Sequence, residues 1–143
     1  MIKSSDILEA VRDVLESRFN YLVYPDEVVN NYEPPCFFIK LVSLSKQYRE
    51  DIKQVNATLY ITFATGALSQ YEILDIKDTI TSIFVKGLRV KDRFIHFSYI
   101  TTETVGDDND MIEFDIPFSY FDSFDDDKEN IPMMNNFYYN KEE

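Results

Sequence analysis

Glycine is scarce in this chain. Gly66, Gly87 and Gly106 are the three present, and they stand too far apart to write a Walker phosphate loop or a dinucleotide fingerprint. Nucleotide binding through either motif is excluded. Cysteine and histidine are scarcer: Cys36 and His96 stand alone, so one chain can form neither a Cys/His zinc site nor an internal disulfide. That usage suits a reducing cytoplasm. Long apolar runs are missing too. No window approaches the roughly 20 residues of a membrane span, and no basic start leads into a signal-like apolar stretch, so a soluble protein made without export is expected. Bases are outnumbered, 14 against 26 acids, for a formal net charge of −12. Phosphate backbones would repel such a chain, which makes protein the expected partner rather than nucleic acid.

Apolar residues, by contrast, supply 45% of 143 positions, enough for the core of one α+β domain. Ile7, Leu8, Val11, Val14 and Leu15 recur at helical spacing and predict an amphipathic helix over residues 6–18, with Asp6 and Glu9 as a capping pair. Tyr21 to Tyr24 read as a short strand ended by Pro25. Cys36 to Leu44 read as a second strand buried on both faces but for Lys40, and Lys46 to Lys53 as a charged turn. Val55, Ala57, Leu59, Ile61 and Phe63 alternate with polar residues, the mark of a half-buried strand. Ile73, Ile76, Ile80, Ile83 and Phe84 predict a second helix over residues 69–86, capped by Gly87.

Phe94 to Thr104 and Met111 to Phe121 are β-prone runs joined by a turn-forming loop, residues 105–110, and are expected to pair as a closing antiparallel hairpin. On the second arm Ile112, Phe114, Ile116, Phe118 and Tyr120 alternate with polar residues. Pro117, lacking an N–H, then belongs on a solvent-facing or edge side. The expected architecture is α+β: a mainly antiparallel sheet packed by two helices in residues 1–121, followed by an extended acidic and aromatic arm in residues 122–143. In that arm Asp122, Asp125, Asp126, Asp127 and Glu129 precede Ile131, Met133, Met134, Phe137 and Tyr138. A wholly solvated tail would not carry so many large apolar side chains.

One local feature stands apart. Asn30-Asn31-Tyr32-Glu33-Pro34-Pro35 runs straight into Cys36-Phe37-Phe38-Ile39. Two prolines hold φ near the extended region and remove two donors, so the segment is expected to enter the sheet as a stiff, extended arm. Catalysis has no need of such an arm, whereas a scaffold does.

Those residues, with Val23-Tyr24-Pro25, Glu27, Thr58-Leu59-Tyr60-Ile61 and Phe114-Asp115-Ile116-Pro117-Phe118, resemble the tail terminator proteins of contractile-tailed phages and phage-tail-like bacteriocins of Gram-positive hosts, over roughly residues 5–121. The resemblance implies a structural subunit with no enzymatic site and no cofactor. It further implies a hexameric ring that caps the head-proximal end of the tail, contacts tube and sheath proteins, stops their polymerisation and presents a surface to a head connector. Assembly would take place in the bacterial cytoplasm before the subunit joins the particle. A head-to-tail joining or stopper protein is the nearest alternative, and a monomeric acidic protein-binding module the more distant one. A small hydrolase would need converging acids that no spacing here predicts.

A closed ring needs unlike patches that meet. Lys86, Arg89, Lys91 and Arg93 form one candidate patch. Asp125, Asp126 and Asp127 with the apolar residues that follow form the other. For the basic group a solvated edge that deters strand pairing is an equally open reading, and for the acidic run simple solvation. His96 reads as a strand-surface histidine and Cys36 as a small buried hydrophobe. Asp107, Asp108, Asn109 and Asp110 lack the distal Glu of a calcium loop and read as a turn. Tyr32, Phe37, Phe38, Phe94, Phe97 and Tyr99 read as core and subunit contacts.

Overall fold

Alternation over residues 52–64 places Val55, Ala57, Leu59, Ile61 and Phe63 on one side of an extended chain, and all five are buried. A computed structural model describes residues 1–25, 31–106 and 110–124. Its elements run α1 (Ser4–Arg18), β1 (Leu22–Tyr24), β2 (Cys36–Arg49), β3 (Ile52–Ala64), α2 (Gln70–Lys86), β4 (Leu88–Val90), β5 (Arg93–Ile95), β6 (Thr101–Val105) and β7 (Met111–Ser123). Five strands form one sheet in the order β1-β2-β3-β7-β6, antiparallel except where β1 lies parallel to β2. Strands β4 and β5 make a separate small hairpin. The fold is α+β, as the periodicities predict.

Register aligns Phe37, Phe63 and Ile112 across the sheet, then Ile39, Ile61 and Phe114, then Leu41, Leu59 and Ile116. These rows meet Ile7, Val11 and Leu15 of α1, Ile76, Ile80 and Phe84 of α2, and Leu88, Val90 and Ile95 of the small hairpin in one core. Each such side chain, fully buried, contributes about 1.5–3 kcal/mol. The opposite face holds a smaller cluster of Cys36, Phe38 and Ala64, with Tyr24, Tyr32 and Met111 packed against it.

Helix α2 starts where Ser69 Oγ accepts from the Glu72 N–H (3.2 Å) and the Glu72 carboxylate accepts from the Ser69 N–H (3.0 Å). It stops at Gly87, whose φ of +95° and contact with the Phe94 ring leave no room for a Cβ. At α1 the capping differs from the expected Asp6–Glu9 pair: the Asp6 carboxylate reaches back to the Lys3 N–H at 2.8 Å, three residues upstream, where helix geometry brings the first turn within reach.

Four further expectations need correction. Strands β2 and β3 continue through most of residues 46–53 and turn tightly at Glu50-Asp51, because cross-strand pairing outweighs the charge of that stretch. Strand β2 is buried on both faces over Cys36–Ile39 alone; its distal half lies beyond the helices and is exposed. The run from Phe94 is not one long arm: β5 pairs back on β4, residues 96–100 are irregular, and of this run only the β6 part pairs with β7. Pro34 and Pro35 lie in a bend, so the entry to β2 is not straight; the peptide between them is cis. Pro117 does sit where expected: β6 stops pairing at Asp115, and the Pro117 carbonyl faces that outer side, accepting from Ser98 N–H at 3.2 Å.

Candidate assembly interface

The four basic residues after α2 do not form one patch. Lys91, at φ +55° in the tight turn between β4 and β5, lies 3.2 Å from Asp6 of α1. The Lys3 N–H and the Lys91 ammonium together hold the Asp6 carboxyl below its ordinary range. Arg93 turns the other way. Its Nη1 lies 3.1 Å from Asp122 Oδ1, its Nη2 donates to the Phe121 carbonyl, and its guanidinium stands over the Tyr120 ring. Arg89 is exposed, with its guanidinium 5.9 Å from the Phe94 ring centroid. Lys86 ends α2, also exposed. Two of the four therefore serve contacts within the chain, and Arg89 and Lys86 carry the outward positive charge at this end.

Asp122 is likewise not part of a solvated acidic arm. Strand β7 runs to Ser123, and the Asp122 side chain is 4% exposed, accepting from the Ile2 N–H at 2.8 Å and the Ser123 N–H at 2.9 Å beside its pair with Arg93. A signal for this was present: Asp122 continues the series Ile112, Phe114, Ile116, Phe118, Tyr120 onto the same inward face. Asp125, Asp126, Asp127, Glu129, Ile131, Met133, Met134, Phe137 and Tyr138 lie outside the described residues, as do Asp107, Asp108 and Asn109.

Three surfaces were missed by the sequence reading, two on strands and one on a helix. The distal half of β2 leaves Val42, Leu44 and Tyr48 exposed, with Tyr48 edge-on to Phe121 at 4.9 Å between ring centroids. On α2, Tyr71, Leu74 and Val85 are exposed along one side. At the other edge of the sheet Glu103 of β6 stands directly opposite Glu113 of β7, with Asp115 one pair further along and its Oδ1 buried without a hydrogen-bond partner among the described residues. Burial, Asp115 and Glu103 push the Glu113 carboxyl up, against a smaller opposing pull from Lys40; burial and Glu103 push Asp115 up. The two strand surfaces do not show in sequence, since each depends on which strands become neighbours.

Cys36 is placed as the sequence suggests, and His96 is on the surface as expected but off the strand. Cys36 is fully buried, and burial pushes its thiol up to about 11. His96 is exposed just past β5, edge-on to Phe94. Phe37, Phe38 and Phe97 pack into the two cores, whereas Phe94 and Tyr99 are exposed. Among the described residues no cluster of His, Cys, Asp and Glu is arranged to hold a metal ion, and no helix is long and apolar enough to cross a membrane. What the surfaces offer is an exposed apolar stretch at one side of the sheet and an acidic group at the other.

A family model described as "Phage tail terminator protein" matches residues 6–130, both helices and the whole sheet included. No curated protein matches the chain. A solved structure aligns over 86% of this chain and 96% of its own, at 12% identity and a TM-score of 0.49, too distant a likeness to carry an argument.

Proposed function

We propose that this chain, which belongs to the phage tail terminator family, is the collar subunit that closes the head-proximal end of a contractile tail. The family is structural rather than enzymatic, and its members interact with tail components and form part of the particle. On the finer reading, six copies form a ring on the last ring of tube and sheath, leave no equivalent site for the next subunit, and so stop growth. In a phage of a Gram-positive host the ring then meets the head connector; in a headless bacteriocin it is the end of the particle.

The observation that carries this reading is the family match, which spans the folded body from α1 through the end of β7. Ring closure by rotation requires unlike surfaces on the two sides of each subunit. The apolar residues of the C-terminal arm, Ile131, Met133, Met134, Phe137 and Tyr138, supply burial against a neighbour or the tube, and Asp125, Asp126 and Asp127 supply register. Their basic counterpart is narrower than the sequence suggested, because Lys91 and Arg93 are engaged within the chain, leaving Lys86 and Arg89.

Deleting the gene and imaging the particles by electron cryo-microscopy tests the proposal. Tubes of irregular length without a collar are expected. Tails of normal length, or this polypeptide found elsewhere in the intact particle, would overturn it.

A further inference from the structure

The five-stranded sheet ends in two edges of different character. Strand β1 pairs with β2 only at Cys36–Phe38, so among the described residues the outer edge of β2 from Ile39 to Arg49 has no neighbouring strand. At the far side β6 pairs, among the described residues, with β7 alone, and Thr101, Thr102, Glu103 and Thr104 are exposed. A long regular edge presents a row of donors and acceptors that another strand satisfies. Proteins blunt such an edge with a strand, a bulge or charge. Here the bulge comes only at Gln47–Arg49, near the tip.

The charges on these edges are complementary. Even-numbered residues of β2 and odd-numbered residues of β6 and β7 share the face turned away from the helices, since Lys40 aligns with Tyr60 and Asp115, and Asp115 with Thr101. On that face the β6 edge concentrates Glu103, Glu113 and Asp115, a like-charge group that is costly to hold together. The β2 edge carries Lys46 beside the exposed Leu44. Strand sense fits as well: β2 and β3, β3 and β7, and β7 and β6 are all antiparallel, so a β6 strand of the same sheet orientation laid beside β2 also runs antiparallel to it.

We propose that neighbouring subunits join by strand addition, the β6 edge of one copy extending the sheet of the next along the distal half of β2, with Glu103 opposite Lys46. That register sets Val105 opposite Leu44 and, on the other face, Thr104 opposite Ser45 and Thr102 opposite Gln47, matching apolar with apolar and polar with polar. Strand β1 blocks any register that would carry β6 down to Phe38. The contact is heterologous, because each copy gives one edge and receives on the other, and sheet twist turns such a series toward a closed ring. An incoming Lys46 ammonium offsets the repulsion between Glu103 and Glu113. The occupant of the β2 edge is thus a second copy of this chain, an inference that rests on the ring reading above.

A charge-swap cycle in the full chain tests it, read by native mass spectrometry of the purified protein and by collar occupancy on tails assembled in cells. Lys46→Glu and Glu103→Lys, each alone, put like charges at every subunit contact and are expected to reduce ring formation at least tenfold. The double variant is expected to restore it. Circular dichroism melts confirm that all three remain folded, since both side chains are exposed. Rings that form normally in both single variants overturn the edge pairing and leave the collar reading standing. A break in Lys46→Glu that Glu103→Lys does not repair assigns the β2 edge to another occupant and equally overturns it. A wild-type chain that stays monomeric and leaves tail ends bare overturns the collar reading itself.

Discussion

Arg93 and Asp122 join the small β4–β5 hairpin to the end of β7, with Nη1 and Oδ1 3.1 Å apart across 29 residues of sequence. Asp122 also holds the Ile2 N–H, so one carboxylate ties together the first residues, the hairpin and the last strand. Removing one partner of a buried pair strands the other, which costs more than the pair itself contributes. With Arg93 36% exposed, part of that penalty is screened. Asp122→Ala also leaves the Ile2 and Ser123 N–H groups without their acceptor and is expected to lower stability by about 2–3 kcal/mol, read as a fall in the urea midpoint, whereas Arg93→Ala leaves Asp122 both donors and is expected to cost less. Equal stability of Asp122→Ala and wild type would show that the junction is not structural.

Phe114 sits fully buried on β7 between Ile61 of β3 and Thr102 of β6. Phe114→Ala leaves a cavity in the main core beneath the sheet and is expected to cost about 3–5 kcal/mol. Chemical denaturation checks this, with the slope against denaturant unchanged if unfolding stays two-state.

The acid edge has a pH signature. Glu113 titrates above its ordinary range in the folded chain, so the folded state binds the proton more tightly than the unfolded one. Its contribution to stability is therefore fully present at low pH and is lost as pH rises through the folded pKa. Glu113→Gln is expected to stabilise the subunit by about 0.5 kcal/mol at pH 7, with the gain vanishing in mild acid, as thermal melts at the two pH values will report. A gain that persists unchanged in acid would point away from charge.

Cys36 combines complete burial with a thiol pushed up to about 11. The thiolate is the reactive form. An aromatic disulfide reagent at pH 8 is expected to leave the folded protein unlabelled and to label it at once in urea. Rapid labelling without denaturant would mean that the Pro34–Cys36 entry opens readily.

The described contacts of β7 run past Asp122, where the arm was expected to begin. A chain ending at Asp122 would lose the Ser123 N–H that this carboxylate accepts, whereas one ending at Phe124 keeps every described contact of β7. Deleting residues 125–143 is expected to leave the melting temperature within a few degrees of wild type while ring yield falls severalfold. Normal rings on normal tails would dismiss the arm from assembly.

Periodicity alone determined much of this protein. Spacing marked both helices, alternation marked β3 and β7, and the few Gly, Cys and His residues left no way to write a Walker or dinucleotide loop, or a Cys/His zinc site or disulfide within one chain. Those signals are local: each is written in residues within a turn or a strand of one another. Tertiary structure decided the rest, because it depended on which distant segments became neighbours. It split the basic group, sending Lys91 to Asp6 and Arg93 to Asp122. It brought Glu103 against Glu113 and, among the described residues, left the outer edge of the distal half of β2 without a strand. Charge in a sequence tells only its sign; packing chooses its partner, and with it whether a residue holds the subunit together or faces the next one.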